Sequence, residues 1–488
     1  MARRINRTLV LEGYLVADTP VHVGSADTGH QVDMPFAVDG MGRFYISGTS
    51  LAGAIRAREM SEKAEEWWGC QEGTASMVVV DDAPVETETN AELWHGNGID
   101  RFSGGAFDGI KYDRQVLPKG TRFRFRLQRE ISKEENISEA RRWMGHLLAA
   151  LESGEISFGG SVSRGFGRLS LKDATGSEID WSSRSGILSW LDYGPSPSIE
   201  GWRKEFSAVS KSASRTLSIE INWQPLGPLM SKSASEGMAV DSMPFVSADG
   251  KSYAMTLPGS SIKGALRQHA ERIVRTVLEN AGHIEAQQHF EQIDLPLVRE
   301  LFGSSRQGKV GEQGARSRLY VDTCYSELSL ARREWNDLDK DVESWKKARH
   351  PIVKADHVAI DRWTGAGLDG ALFNTAEPDK SVKWEPIRLK FDCGRSRDHA
   401  PLSLLWLVLR DFCSGKIPLG FGVNRGYGDL AVKSISFSGL FSFGYDKDSM
   451  EIEIENGTPR TLAHADFIET LKKHWTAWLE TQRSKEVA

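Results

Sequence analysis

Cysteine is scarce. The chain holds four, Cys70, Cys324, Cys393 and Cys413, and no two stand at Cys-x-x-Cys spacing. That excludes a zinc knuckle and gives no basis for a disulfide framework, so they read as reduced, packed thiols. Apolar runs of membrane-spanning length are also absent, and the opening MARRINRTLVLEGYL has basic residues but no apolar signal core or small-residue cleavage site. The expectation is a cytoplasmic protein without membrane association. No GxxxxGK[ST] occurs, and neither GGSVSRGFG (159–167) nor GFGVNRGYG (420–428) fits GxGxxG, which disfavours a nucleotide site. Charge of one sign is lacking too. The 61 Lys and Arg against 67 Asp and Glu leave −6, which argues against wholesale coating of nucleic acid.

What is present is the composition of an ordinary globular protein. With 488 residues and 40% hydrophobic content, the chain is long enough for two or three domains with substantial cores. Its charge is unevenly placed. KYDRQVLPKGTRFRFRLQRE, Lys111 to Glu130, carries seven basic residues against two acidic ones, whereas Asp81 to Glu92 has five acids and no base. A basic surface beside an acidic one is expected.

The chain also repeats itself. VDMPFAVDGMGRFYISGTSLAGAIR, Val32 to Arg56, returns as VDSMPFVSADGKSYAMTLPGSSIKGALR, Val240 to Arg267. Three further pairs follow in the same order: MVVVDDA (Met77 to Ala83) with LYVDTC (Leu319 to Cys324), IDRFSGGAFDG (Ile99 to Gly109) with IDRWTGAGLDG (Ile360 to Gly370), and GGSVSRGFGRL (Gly159 to Leu169) with GFGVNRGYGDL (Gly420 to Leu430). Arg56 and Arg267 are 211 positions apart, whereas Arg101 and Arg362, like Arg164 and Arg425, are 261 apart, so the second copy has gained 50 residues between its first two Arg-bearing motifs. The gain lies within about 268–357, where HAERIVRTVLENAGHIEAQQHFEQ and LARREWNDLDKDVESWKKARH have helical composition and spacing. Helix and loop at the periphery are expected there.

Each copy opens on an alternating apolar run, TLVLEGYLV or TLSIEINW, passes through a loop holding an isolated aspartate, Asp33 or Asp241, and enters a helix near Ser50 or Ser261. Later, RFRFRL (Arg122 to Leu127) sets arginines and phenylalanines on opposite faces of a strand, and IRLKF (Ile387 to Phe391) is its counterpart. This order predicts an α+β fold of two tandem ferredoxin-like domains with helices on one face of a sheet. A Ser/Pro/Gly/Lys-rich passage at 193–215 puts the boundary near 205, giving domains 1–204 and 205–488, the second ending in a helix over about 462–484 with Phe467, Leu471, Trp475 and Trp478 at helical spacing.

Four motifs, in order and twice, resemble the RAMP superfamily and, more narrowly, the backbone subunits of type III CRISPR effector complexes. They are the Val-Asp loop, Gly-Thr/Ser-Ser-φ-x-Gly-x-φ-Arg (φ apolar), Ile-Asp-Arg-x-Ser/Thr-Gly and a closing Arg-Gly-φ-Gly loop. The covalent tandem resembles the double-unit backbone proteins of III-D-like effectors. The resemblance implies RRM-like RAMP domains with thumb-hairpin insertions, a chain that grips guide RNA (crRNA) among other effector subunits, and thumbs that interrupt the guide–target duplex. It further implies that the first-loop aspartates, here Asp33 and Asp241, cleave complementary target RNA beside each interruption.

The chemistry of these residues is compatible with that role. RNA carries its own nucleophile, the 2′-hydroxyl, so an enzyme has mainly to hold that oxygen in line with the phosphate and assist its deprotonation. Asp33 or Asp241 would act as base or as ligand to a divalent cation, Mg or Mn, held without a dedicated protein cage. Turn or capping duty is the alternative for either aspartate, narrowed by its recurrence in both copies.

For contacts to the RNA backbone the sequence offers Gly159, Gly160, Ser161, Arg164 and Gly165 in one glycine loop and Gly420, Gly422, Arg425 and Gly426 in the other. Glycine lets backbone amides approach phosphate; a tight turn with a surface arginine is the competing reading. Ser50, Arg56, Ser261, Lys263 and Arg267 stand near helix starts, where amides and basic side chains favour anions. Arg101 and Arg362 are further RNA candidates, and Asp100 and Asp361 beside them read as ion-paired loop residues. Phe102, Phe107, Trp363 and Leu368 are candidate base wedges, with core packing as the alternative for any one of them.

The copies are not identical. His22 fits a common family position, but the second copy reads QPLGPLMS there, which removes it from a shared mechanism, and Ala52 stands where the second copy has Lys263. Two other functions stay open: a non-catalytic RNA-binding scaffold of the same complex, and a guide-processing endoribonuclease, for which only His22 is suggestive.

Overall fold

The computed structural model describes residues 4–25, 32–58, 64–70, 73, 75–86, 89–132, 135–194, 196–207, 216–234, 237–250, 252–278, 292, 295–304, 314–341, 350–393, 399–440, 445 and 447–487. It divides into two units. The first comprises Met1–Trp94, Tyr112–Val162 and Phe166–Ser212; the second comprises His95–Lys111, Ser163–Gly165 and Ala213–Ala488.

The first unit is built on an antiparallel sheet in the order Val78–Val80, Arg122–Ser132, Ile5–Ala17, Leu169–Asp180, Ser196–Pro197. The helices Gly48–Arg58 and Ile137–Glu152 complete a strand–helix–strand–strand–helix–strand succession, with the first strand seated between the third and fourth. That is the ferredoxin-like arrangement. The alternation in Arg122–Ser132 works as written: Phe123, Phe125 and Leu127 are buried with Leu9, Leu11 and Leu15 under Leu51, Met144 and Leu148. Truncating one of those phenylalanines to alanine would cost ~3–5 kcal/mol.

On the other face two of the three arginines are paired, while Arg124 is exposed. Arg122 pairs with Glu86 and Arg126 with Asp81, both at 3.0 Å, so the basic and acidic runs of the sequence meet at these two pairs. Arg126 also reaches Glu12, its partner in strand register. Such exposed pairs contribute ~0–1 kcal/mol each, so they set local charge more than stability.

The boundary expected at residue 205 falls inside the helix Ile199–Ser207. Its Trp202 is fully buried in the first unit's core, against Gly176, where an added Cβ would lie 2.5 Å from the indole. The stretch that reads as a linker by composition therefore includes packed structure at Trp202.

The second unit repeats the plan with the sheet order Leu319–Val321, Ile387–Asp392, Thr216–Pro225, Leu430–Ser438, Ser449–Glu455, Thr458–Pro459, and the helices Gly259–Val277 and Ala400–Cys413. Ile387, Leu389 and Phe391 occupy the buried face that Phe123, Phe125 and Leu127 fill in the first. The inserted segment is more than helix and loop at the periphery. The strand Cys324–Ala331, which joins Ser252–Leu257, lengthens a pairing that the first unit makes between Tyr45–Ile46 and Ala83–Pro84, and the helix Arg332–Lys340 follows it; Leu330 and Leu338 are both buried in the core. Residues 279–291 and 342–349, where further helix is expected, lie outside the described residues. A short turn at Leu462–His464 leads into the terminal helix Ala465–Val487, whose Phe467, Ile468 and Leu471 are buried and whose Trp475 and Trp478 stack at 5.2 Å. Among the described residues, no helix is long and apolar enough to cross a membrane.

Candidate nucleic-acid interface

Both aspartate loops are tied down in the same way. In the first unit the Asp33 amide donates to Asp113 Oδ1 (2.7 Å), and the Asp113 amide donates to Asp33 Oδ2 (2.9 Å). In the second, the Asp241 amide donates to Asn374 Oδ1 and the Asn374 amide to Asp241 Oδ2, both at 2.8 Å. A parallel bridge follows each pair, Met34 with Arg114 and Ser242 with Thr375. Asp113 and Asn374 sit on the returning strands of two hairpins, Ala106–Val116 and Gly367–Pro378. Each loop aspartate is exposed, and among the described residues its Oδ1 accepts no hydrogen bond. A carboxylate with one oxygen fixed and the other open to solvent is suited to taking a proton or sharing a cation.

The sequence repeats do not single out Asp113 and Asn374. They are 261 positions apart, the same offset as Arg101 and Arg362, but Asp in one copy and Asn in the other conceals the correspondence. The insertion adds a further support in the second unit: Asp339 Oδ1 accepts from the Met238 amide (3.0 Å), and its carbonyl accepts from the Ala239 amide (2.8 Å), just ahead of Asp241.

The glycine loops are held by close backbone approach. The Gly160 amide donates to His22 O and the Phe421 amide to Met230 O, both at 2.8 Å. At Gly159 (φ +88°) and Gly420 (φ +87°) an added Cβ would lie 2.3 Å from those same carbonyls. These glycines serve packing, and the Gly160 amide is spent on the protein. Ser161 is likewise engaged, its Oγ accepting from Arg114 Nη1 (2.7 Å). Gly165 packs in the second unit, where an added Cβ would lie 2.7 Å from the Thr323 amide nitrogen, and Gly422 (φ +74°) lies against the Tyr427 ring; Gly426 (φ +83°) faces open space.

Each loop then makes a short turn, Val162–Arg164 and Val423–Arg425, that carries its arginine to the surface. Arg425 lies over an aromatic platform, 4.9 Å from the Phe421 ring and 5.2 Å from that of Phe373. Beside it the Tyr427 hydroxyl donates to Glu377, with His357 Nε2 3.1 Å away, a polar cluster absent from the first copy. Burial and Glu377 push the Tyr427 pKa far up. His22 is buried, its Nδ1 2.8 Å from Gln115 O; desolvation is the main reason its pKa is lowered, helped by Arg114 and opposed by the Gln115 contact.

At the helix starts the backbone amides are engaged within the protein. An added Cβ on Gly48 would lie 2.2 Å from Val80 O, and on Gly259 2.3 Å from Val321 O, so glycine is there for contact with the adjacent strand. The Gly48 amide is already taken by Asp82 Oδ1 (2.7 Å), and the Ser50 and Ser261 amides by the carbonyls of Ser47 and Pro258. Arg56 is exposed.

Lys263, expected as an RNA contact, is 6% exposed and donates to Ser163 O, Ser317 Oγ and Leu319 O. Burial, then the charges of Arg164 and Arg267, pull its pKa well below that of an ordinary lysine. Arg101 and Arg267, also expected at RNA, both grip Glu271, with Nε–O distances of 2.5 and 2.8 Å.

The hairpin tips match closely. Asp100 Oδ1 accepts the amides of Phe102 and Ser103, and Asp361 Oδ1 that of Trp363, so these aspartates cap the turn amides rather than pair with the neighbouring arginines. Those hydrogen bonds depress both carboxyl pKa values. Phe102, Leu368 and above all Trp363, which is 95% exposed, project into solvent, whereas Phe107 is half-buried.

This geometry can be set beside known proteins. The chain is 27% identical over 198 residues to the CRISPR system Cms endoribonuclease Csm3 of Methanocaldococcus jannaschii, an alignment covering 34% of this chain and 79% of that protein. The family model of the RAMP superfamily matches residues 14–170 and, separately, residues 225–431. With both of its repeated halves matched, the protein belongs to the RAMP superfamily.

Proposed function

We propose that this chain is a backbone subunit of a type III CRISPR RNA-guided effector, working in the cytoplasm, that binds guide RNA and cleaves complementary target RNA at two positions, one beside Asp33 and one beside Asp241. The observation that carries this reading is the duplicated anchoring of an exposed aspartate to the root of a hairpin with an apolar tip. The similarity to an endoribonuclease Csm3 supports it.

In this reading the hairpin tips, led by Trp363 and Phe102, splay bases at the interruption. Arg164 and Arg425 hold phosphates. The aspartate takes the proton of the target's 2′-hydroxyl; the 2′-oxygen bonds to phosphorus, the bond to the 5′-oxygen breaks, and that oxygen leaves taking a proton from solvent water, leaving a 2′,3′-cyclic phosphate. Asp33 or Asp241 would share a divalent cation, Mg or Mn, with RNA phosphate and water, since such hard cations take oxygen ligands. A divalent ion, when bound, would supply positive charge at the phosphate.

The experiment is to purify the chain from its host and sequence the RNA that accompanies it. Guides derived from CRISPR repeats are expected. Unrelated cellular RNA, or none, would overturn the reading.

A further inference from the structure

The root of the second hairpin carries a cluster that the first copy lacks. His357 and Phe373 face each other across its two strands, their rings stacked at 5.0 Å and 20°. His357 Nε2 lies 3.2 Å from Glu377 Oε1 and 3.1 Å from the Tyr427 hydroxyl, which itself donates to Glu377. The imidazole is thus fixed through one nitrogen and one face. Its Nδ1 makes no hydrogen bond among the described residues, and the side chain is 25% exposed. Two groups of the proposed reaction meet the hairpin at the same point: Arg425 covers the Phe373 ring at 5.2 Å, and Asp241 exchanges hydrogen bonds with Asn374, the next residue. At the 261-residue offset the first copy has Gly96, Val116 and Phe166 in place of His357, Glu377 and Tyr427.

We infer that His357 is the general acid of the cut beside Asp241. Histidine gives and regains a proton near neutral pH, and a ring oriented by a carboxylate at one nitrogen has the other available for transfer. Asp241 takes the 2′-hydroxyl proton, the 2′-oxygen bonds to phosphorus, and the bond to the 5′-oxygen breaks as His357 Nδ1 passes its proton to that oxygen in place of solvent water. The imidazole then takes a proton from water, and the Asp241 carboxyl gives one up. Glu377 and Tyr427 are positioning residues that act through the imidazole. The first position, with Gly96 where the second has the histidine, keeps solvent as its proton source, so one chain makes two cuts of unequal chemistry. The inference rests on the proposed cleavage at two positions and adds the proton donor of the second.

The test uses the assembled complex carrying full-length chain with His357→Gly, which copies the first repeat, or His357→Gln, which keeps an N–H donor but has no proton to transfer. An end-labelled complementary target is cleaved in a single turnover, and the two cuts are timed separately. The cut beside Asp241 should slow about 100-fold or more in both variants, while the cut beside Asp33 keeps its wild-type rate and reports that folding, assembly and RNA binding are intact. A second target carries sulfur in place of the bridging 5′-oxygen at the Asp241 position. A thiolate leaves without a proton, so on that target both variants should match wild type. A defect that persists on the sulfur target would overturn the inference and make His357 a brace of the hairpin root. So would an unchanged rate beside Asp241, or equal slowing of both cuts. Wild-type complex giving no Asp241-dependent cut would be failure of the proposed cleavage itself, and would remove the inference with it.

Discussion

Asp33 and Asp113 exchange hydrogen bonds, each side chain accepting the other's backbone amide, at 2.7 and 2.9 Å. The second copy does the same with Asp241 and Asn374, so what the arrangement needs at the hairpin root is a side-chain oxygen acceptor, not a charge. Asp113→Asn should therefore leave cleavage beside Asp33 near wild type, whereas Asp113→Ala should slow it about tenfold, the value of one lost positioning bond, with RNA affinity unchanged. Single-turnover rates on one target RNA check this; equal losses in both variants would mean that the charge of Asp113 matters.

The glycine loops make a stability prediction. Gly159→Ala or Gly420→Ala puts a Cβ 2.3 Å from a fixed carbonyl at positive φ and should cost at least ~3 kcal/mol. Gly426→Ala has the same backbone strain in open space and should cost about 1–2 kcal/mol. Urea denaturation of the three variants orders them; equal losses would remove the close-approach argument.

Lys263 and Arg425 should separate structure from binding. Lys263→Met strips donors from buried acceptors and should lower stability by ~1–3 kcal/mol without changing RNA affinity. Arg425→Glu should do the reverse, weakening RNA binding across sequences and reducing its salt dependence by about one phosphate contact. Filter binding over a salt series, with melting curves, reads both. An RNA-binding loss in Lys263→Met at full folding would restore the lysine to the interface.

Stability should fall as the solution is acidified. Desolvation lowers the pKa of His22 and of His269, the latter despite its bond to Asp411. Unfolded histidine titrates near ~6.5, so on acidification the unfolded chain takes up protons first. The contribution is complete above about pH 6.5 and is lost as the pH drops through that value toward the lower folded pKa values. Tm should decrease between about pH 7.5 and 5.5, and His22→Met, which copies Met230, should shrink the decrease. An unchanged decrease in that variant would show that His22 does not contribute.

Much of the fold was legible because periodicity and repetition are local signals. The alternation in Arg122–Ser132 gave a buried face, and the fixed offsets gave two ferredoxin-like sheets. The aspartate loops were legible because they recur. What could not be read were partnerships across distant segments. Lys263 looks like a surface base until Ser317 and Leu319 close over it, and Arg101 looks free until Glu271 is brought beside it. Asp339, carried by the insertion, braces the Asp241 loop, which no motif announced.

The central claim is that one chain supplies two cutting positions. Its most direct measurement is the assembled complex acting on an end-labelled complementary target, resolved to single nucleotides, for wild type, Asp33→Ala, Asp241→Ala and the double variant. Wild type should give two cuts one backbone interval apart; each single variant should lose a different one, with RNA affinity nearly intact because a carboxylate does not anchor phosphate. Persistence of both products in the double variant would contradict the account and leave the chain an RNA-binding scaffold.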